Sequence, residues 1–289
     1  MAEPWSEWPA PAKLNLFLHI IGRRADGYHL LQTVFQLLDW GDTVRLRARS
    51  DDAIVRVSGL AEVPPEQDLA VRAAIALRRA SGTTRGVDIG IDKQIPAGGG
   101  LGGGSSDAAT VLVALNEIWE IGLSEDELAQ IGLTLGADVP VFVRGYTAWA
   151  EGVGEKLTPI ELPPRHYAIL DPRERVPTSE LFQAAELTRN ALPLTIYGYL
   201  NGAQTVNAFV PVVAARFPGV AAALDWLQSY GDASLSGSGA CVFATMDAET
   251  AQRAERDCPP QFAVYRADAV NRSPLLDSRD NFRARMQRT

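Results

Sequence analysis

The sequence is poor in the residues that hold metals and cross-links. It has only two cysteines, Cys241 and Cys258, set 17 positions apart without a CxxC, and three scattered histidines at 19, 29 and 166. A disulfide framework and a zinc site of ordinary spacing are therefore excluded, and free thiols are expected. Lysine is just as scarce: Lys13, Lys93 and Lys156 are the only ones, so arginine supplies the other 24 of 27 basic residues. Thirty-five acidic residues outnumber these, and a net charge of −8 offers no positive field to gather nucleic acid or an anionic membrane. Long apolar runs are missing too. Residues 190–215 carry no charge, but Pro193, Gly198, Asn201, Gln204, Asn207 and Pro211 interrupt them too often for a bilayer helix. The opening MAEPWSEWPAPAK lacks the basic and apolar regions of a secretory signal, so a cytoplasmic protein is expected.

What is present is a globular composition, 46% hydrophobic and 21% charged over 289 residues, long enough for two domains. From Ala12 to Ile21 the chain alternates, with Leu14, Leu16, Leu18 and Ile20 on one face and Lys13, Asn15, Phe17 and His19 on the other. That is a half-buried strand. After an Asp-Gly turn, strand-like runs at 28–38, 43–49 and 53–58 continue an antiparallel pattern. A helix over 67–80 and a strand over 87–91 follow. Ala108, Val111, Leu112, Leu115 and Trp119 share a helical face, and Ser124 with Glu127 forms a capping box for the next helix. Strands are expected around 146–157 and 167–170, helices near 178–189 and 212–230, a strand–Gly loop–strand at 234–246, a helix at 248–257 and a strand at 262–267. Residues 276–289 read as a disordered tail. The Pro-rich stretch 157–165 divides the chain into units 1–160 and 161–289, both α+β.

The strongest local signal is KQIPAGGGLGGGSSDAA, in which six glycines fall within seven positions. Such a backbone approaches a ligand closely, Ser105, Ser106 and Asp107 offer helix-starting oxygens, and a helix N-terminus behind it favours an anion. Phosphate is the expected anion. A Walker A loop is excluded because Gly104 stands where it requires lysine, and the GxGxxG of Gly98, Gly100 and Gly103 lacks the βαβ setting of a dinucleotide fold. Lys13 and Asn15, about 6.5–7 Å apart on one strand face, can meet one small ligand or simply face solvent. Asp138, between Gly136 and Pro140, can serve chemistry or merely cap a helix.

Three segments together resemble the motifs of the GHMP kinase superfamily: PAKLNL at 11–16, PAGGGLGGGSSDAA at 96–109 with LGADVPVF at 135–142, and LSGSGACVF at 235–243. ADGYHLLQTVFQLLDWGD at 25–42, FVRGYTAWAEGVGE at 142–155 and NRSPL at 271–275 narrow the likeness to members acting on a cytidine-diphosphate methylerythritol in the non-mevalonate isoprenoid route. The resemblance implies an N-terminal ribosomal-protein-S5-like ATP domain, a C-terminal ferredoxin-like substrate domain and an active site in the cleft between them. It implies ATP with Mg²⁺, phosphorylation of the substrate's 2-hydroxyl, and catalytic roles for Lys13 and Asp138. Residues Pro96, Ala97, Gly98, Gly99, Gly100, Leu101, Gly102, Gly103, Gly104, Ser105 and Ser106 would wrap the ATP phosphates, with Lys93 nearby. Asn15 and His29 would bind the substrate, His29 at the cytosine edge, with Tyr28 and Phe182 holding the ring between them and Thr178 assisting. Gly237 and Gly239 would approach the phosphates. No protein ligand for the metal is assigned, and a monomer or weak homodimer is expected. Asp68 stands where relatives often carry Asn near the adenine. A kinase of another alcohol and a catalytically silent nucleotide-binding protein are the alternatives.

Overall fold

The computed structural model describes residues 4–288. The chain runs β1 (Ser6–Arg23), β2 (His29–Arg49), β3 (Ile54–Arg56), α1 (Leu69–Ser81), β4 (Gly86–Asp92), α2 (Gly103–Ile118), α3 (Glu125–Leu133) and α4 (Val139–Arg144). Then come β5 (Ala148–Gly152), β6 (Lys156–Pro159), β7 (His166–Asp171), α5 (Thr178–Leu181), α6 (Ile196–Leu200), α7 (Val210–Arg216) and α8 (Pro218–Gln228). The last elements are β8 (Ala233–Leu235), β9 (Val242–Met246), α9 (Ala248–Asp257), β10 (Ala263–Val270) and α10 (Pro274–Met286). Among the described residues no single helix is long and apolar enough to cross a membrane.

The two runs expected at 28–38 and 43–49 form one strand, β2, along whose length other strands pair antiparallel: β1, β4, β5 and, at Leu37 and Leu38, β10. The expected antiparallel pattern fails at β3, which pairs parallel to β4 because the chain crosses over before returning. β1 has β2 on one edge only, which is why Pro9 and Pro11 are tolerated in it. Its other edge is used by loops: the Lys13 amide donates to the Leu101 carbonyl at 3.0 Å, and Leu18 exchanges bonds with Val206 and Ala208. Bulges between Pro11 and Lys13 and between Asn15 and Leu18 break the simple alternation.

Helix α2 is buried almost all round, with Ser106 through Asn116 inside, so it is the central element of the first core and not a one-faced helix. It packs between the sheet and α1, α3 and α4. The Ser124–Glu127 capping box forms as expected. A second core gathers Leu170, Phe209, Val213, Leu227 and Val242 on the other half of the sheet, β7–β9–β8, and β10 joins the halves by pairing with both β2 and β7. The helix expected over 178–189 is only the turn α5, because bends over 182–187 take the chain elsewhere.

The tail expected at 276–289 is instead α10, capped by Ser273 and started by Pro274. Leu275 is fully buried in the first core, Leu276 is fully buried against Gly145, Phe282 lies 5.3 Å from Trp8, and Arg283 pairs with Glu117. Three apolar residues in an otherwise charged segment were enough to anchor it. Leu275→Ala is expected to lower the free energy of unfolding by about 2–5 kcal/mol, as for other buried leucines. Urea denaturation measures this, and an unchanged midpoint would mean that α10 does not stabilise the first core.

Candidate active site

A cleft of about 600 Å³ opens between the two cores, a size suited to small ligands. The Gly-rich loop forms one wall. The helix behind it starts earlier than the serines suggested: Gly102 is the N-cap in a left-handed conformation, with no side-chain cap, and Ser105 and Ser106 lie in the first turn. The N–H groups of that turn, left without a side-chain cap, are of the kind that favours an anion. Ser105 lines the cleft, whereas Ser106 is wholly buried in the helix. Two glycines are demanded by the geometry. Gly98 and Gly100 both have φ near 75°, and a methyl on Gly100 would stand 2.1 Å from the Ser236 carbonyl oxygen, whereas one on Gly98 would meet nothing within 4 Å.

Lys13 does not face solvent. Its side chain is 3% exposed, and its ammonium donates to Asn15 Oδ1 at 2.5 Å and to the Gly100 carbonyl at 2.7 Å, with Asp138 Oδ2 at 3.4 Å. The ring of Phe35 lies beneath it, 5.5 Å away. Asp138 occupies the N-cap position of α4, yet its carboxylate makes no capping bond. Instead it points to Lys13 while remaining 34% exposed to the cleft. Asn15 is engaged at both ends of its amide, since Nδ2 donates to Thr33 at 3.0 Å.

The third Gly motif is laced to the first wall. Ser236 Oγ donates to the Gly100 carbonyl and accepts from the Asn15 amide, while the Ala240 and Cys241 amides reach Gly98 and Gly99. Burial pushes the Cys241 thiol well up, which marks it as packing and not a nucleophile. Gly237 borders the cleft near Lys13, whereas Gly239 turns toward Leu235. Asn207, which nothing in its charge-free surroundings signalled, holds this turn by donating to the Leu235 and Gly237 carbonyls. Thr178 shares a 2.6 Å hydrogen bond with Ser238 across the cleft.

Lys93 sits at the foot of the Gly loop between two carboxylates, Asp42 and Asp107. Asp42 also accepts the Gln94 and Ile95 amides, at 2.5 and 2.8 Å, and so anchors the segment entering the loop. Burial pulls the Lys93 ammonium down, but the two carboxylates outweigh it and hold it above its ordinary value. Asp107 is worse placed. Burial, with Asp42 beside it, pushes its carboxyl up to about 7 despite Lys93, and Oδ1 lacks a partner.

Farther out, the aromatic residues are arranged differently from the expected sandwich. The ring stacked on Phe182 is His29, with centroids 4.9 Å apart, while Tyr28 is 64% exposed. Arg189, another residue without a sequence signal, donates to His29 Nε2 at 3.2 Å. Thus Lys13, Asn15, Lys93, Asp138, the 96–105 loop, Thr178, Phe182 and Gly237 share one cleft, and Ser106, Gly239, Tyr28 and His29 lie off its lining.

Comparison with known proteins supplies the family. The model of the GHMP kinases N terminal domain matches residues 68–146, and that of the GHMP kinases C terminal domain matches 197–263. The chain is 55% identical over 278 residues to a 4-diphosphocytidyl-2-C-methyl-D-erythritol kinase of Xanthomonas axonopodis pv. citri, covering 96% of this chain and 94% of that one. A protein of the same name from Halorhodospira halophila is 56% identical, with 94% and 95% covered. Among solved structures, a 4-(cytidine 5'-diphospho)-2C-methyl-D-erythritol kinase superposes with TM-score 0.76 at 32% identity, over 91% of this chain and 99% of that one. A mevalonate kinase at 16% identity and TM-score 0.68 shares the fold.

The two glycines separate strain from collision. Gly98→Ala is expected to cost about 1–2 kcal/mol, the left-handed penalty alone, whereas Gly100→Ala must also displace Ser236 and should lose stabilisation by ATP. Thermal unfolding with and without ATP distinguishes them, and equal behaviour would remove the loop contact from the explanation. Asp107 yields a pH signature. Its carboxyl titrates near 7 when folded and near 3.8 otherwise, so its contribution is complete below pH 3.8 and lost as the pH rises to about 7. Asp107→Asn should flatten the decline of stability across that window; an unaltered slope would clear Asp107 of it.

Proposed function

The chain belongs to the 4-diphosphocytidyl-2-C-methyl-D-erythritol kinases of the GHMP kinase superfamily, and on that footing we propose how its cleft divides the work of phosphoryl transfer. The reaction is transfer of the γ-phosphoryl group of ATP to the 2-hydroxyl of 4-(cytidine 5'-diphospho)-2-C-methyl-D-erythritol, giving the 2-phosphate and ADP for isoprenoid precursor synthesis. The observation that carries this reading is the approach of Lys13 to Asp138, 3.4 Å apart beside the Gly loop.

The triphosphate lies along residues 96–105, where backbone N–H groups and the start of α2 meet its charge. The acceptor hydroxyl lies against Asp138. As its oxygen bonds to the γ-phosphorus, the bond from that phosphorus to the bridging oxygen breaks, ADP takes the released electron pair, and Asp138 accepts the hydroxyl proton. Lys13 orients the Asp138 carboxylate and offsets negative charge developing on the transferred group. Asn15 and the Gly100 carbonyl hold the ammonium in place for both tasks.

Among the described residues no group of three or more His, Cys, Asp or Glu is poised around one metal. Ser105 and Asp138 both line the cleft, and their oxygens suit Mg²⁺, which takes most of its ligands from phosphate and water. When bound, the ion would neutralise the phosphates. The cytidine end of the substrate extends towards Thr178, Phe182 and His29.

Asp138→Asn is expected to lower kcat by 10²- to 10⁴-fold, the usual range for losing a general base, while ATP still raises the melting temperature. Coupled ADP-release kinetics with the cytidine substrate, and mevalonate as a control alcohol, measure this. Turnover within tenfold of the unsubstituted protein would overturn the role of Asp138, and indifference to the cytidine substrate would overturn the substrate.

A further inference from the structure

We infer that Arg189 is a positioning residue for cytosine recognition, acting through His29 and the loop that carries Phe182. This rests on the reading above that the cytidine end lies by Phe182 and His29. The guanidinium makes four hydrogen bonds. Its Nη2 donates to the Phe182 carbonyl at 2.9 Å and the Ala184 carbonyl at 2.7 Å, and Nη1 to the Leu187 carbonyl at 3.0 Å. The planar fork of arginine suits three convergent carbonyls, which an ammonium could not satisfy in the same plane. Residues 182–187 have little helix to hold them, and Leu181, Ala184 and Leu187 are their buried anchors. Arg189 supplies the polar half of that anchorage and so sets where the Phe182 ring stands.

The fourth bond reaches the other ring of the stack, from Nε of Arg189 to Nε2 of His29 at 3.2 Å. An arginine Nε–H can only donate, so Nε2 of His29 must carry its lone pair and the ring proton must sit on Nδ1. The imidazole is thereby held neutral, stacked on Phe182 and able to address a base through an N–H donor. Cytosine offers acceptors at N3 and O2 on its pairing edge, whereas uracil presents an N–H at N3. A fixed Nδ1–H aimed at N3 therefore favours cytosine over uracil, the kind of discrimination that a buried polar group enforces when its partner is missing.

The surroundings reinforce the neutral form. His29 is nine-tenths buried, and burial, then the positive charges of Arg189 and of Arg23 on the paired end of β1, lower its affinity for a proton. Loss of Arg189 removes one of these three influences and must move the His29 titration upward. On this proposal a proton on His29 breaks the bond from Arg189, so kcat/KM for the cytidine substrate carries an acid limb for His29, separate from that of Asp138, and this limb moves upward with it.

The test is steady-state kinetics of Arg189→Gln against the unsubstituted protein. We expect the KM for the cytidine substrate to rise at least tenfold, with kcat and the KM for ATP changed less than twofold. The acid limb of kcat/KM should move to higher pH. In a His29→Gln background the same Arg189→Gln substitution should have a markedly smaller effect on KM and none on the acid limb, since its route through the imidazole is gone. If Arg189→Gln does not fold, Arg189→Lys retains the charge without the fork, and should raise KM while leaving the acid limb in place. An unchanged KM and acid limb in Arg189→Gln, or an unchanged KM in Arg189→Lys, would overturn the proposal. Calorimetry of the unsubstituted protein with cytidine and uridine 5'-diphosphates separates the two levels. Equal or absent binding would sink the cytosine reading together with Arg189, whereas preference for cytidine with unaffected Arg189 variants would sink Arg189 alone.

Discussion

A buried ammonium is the constraint on which the site is built. An unpaired cation inside a protein is too costly to persist, so Lys13 must find acceptors for its three N–H groups. One is a near neighbour, Asn15 on its own strand, and two come from distant parts of the chain, Gly100 of the loop and Asp138 at the head of α4. Satisfying one charge therefore draws β1, the Gly loop and α4 to a point. The Gly100 carbonyl also accepts from Ser236, which carries the requirement into the second half of the molecule. The pair is asymmetric, with Lys13 3% and Asp138 34% exposed. The cation is locked away, while the carboxylate that it holds remains open to the cleft.

The same economy explains how an acidic protein accommodates phosphates. A net charge of −8 gives no long-range attraction. Two of the three lysines are nonetheless placed at the loop, and both are matched by carboxylates: Lys13 by Asp138, and Lys93 by Asp42 and Asp107. Fixed cations there orient the loop and are already neutralised, which in the proposed reading leaves the phosphates chiefly to backbone N–H groups at the start of α2. That demand is what keeps the segment so rich in glycine, since side chains would occupy the space of the ligand or, at Gly100, of Ser236.

The sequence made legible those features that depend on local chemistry. The strand at 12–21, the Ser124–Glu127 box and the Gly-rich loop before α2 were legible because neighbours a few residues apart decide them, whereas bulges and burial of both faces replace the simple alternation expected of that strand. The motifs located the cleft, since Lys13, Asp138 and the 96–105 loop meet there. Features set by distant partners were hidden. The parallel pairing of β3 depends on β4 some thirty residues on. α10 looked like a tail because its composition is charged, yet three apolar side chains find a prepared groove. Asn207 and Arg189 make their bonds to main-chain atoms and to one imidazole, and no spacing rule points to such contacts. The start of α2 was misplaced by the serines because a left-handed glycine, not an oxygen, ends the preceding loop.

The geometry at the centre of the cleft is inherited from the sheet more than from the loops that surround it. β10 pairs with β7 through six positions and then turns onto β2 at Leu37 and Leu38, next to the residues opposite Lys13. Gln36 and Thr147 both donate to the Val270 carbonyl, tightening that junction from within the first core. The strand beneath Lys13 is thus tied directly to the strand that supports the second core. The rim loop 182–187 is held separately, by Arg189 bonded to its carbonyls, and takes no part in the 3.4 Å approach of Lys13 to Asp138. The strands thus position Lys13 and Asp138, while side-chain bonds to carbonyls position the rim.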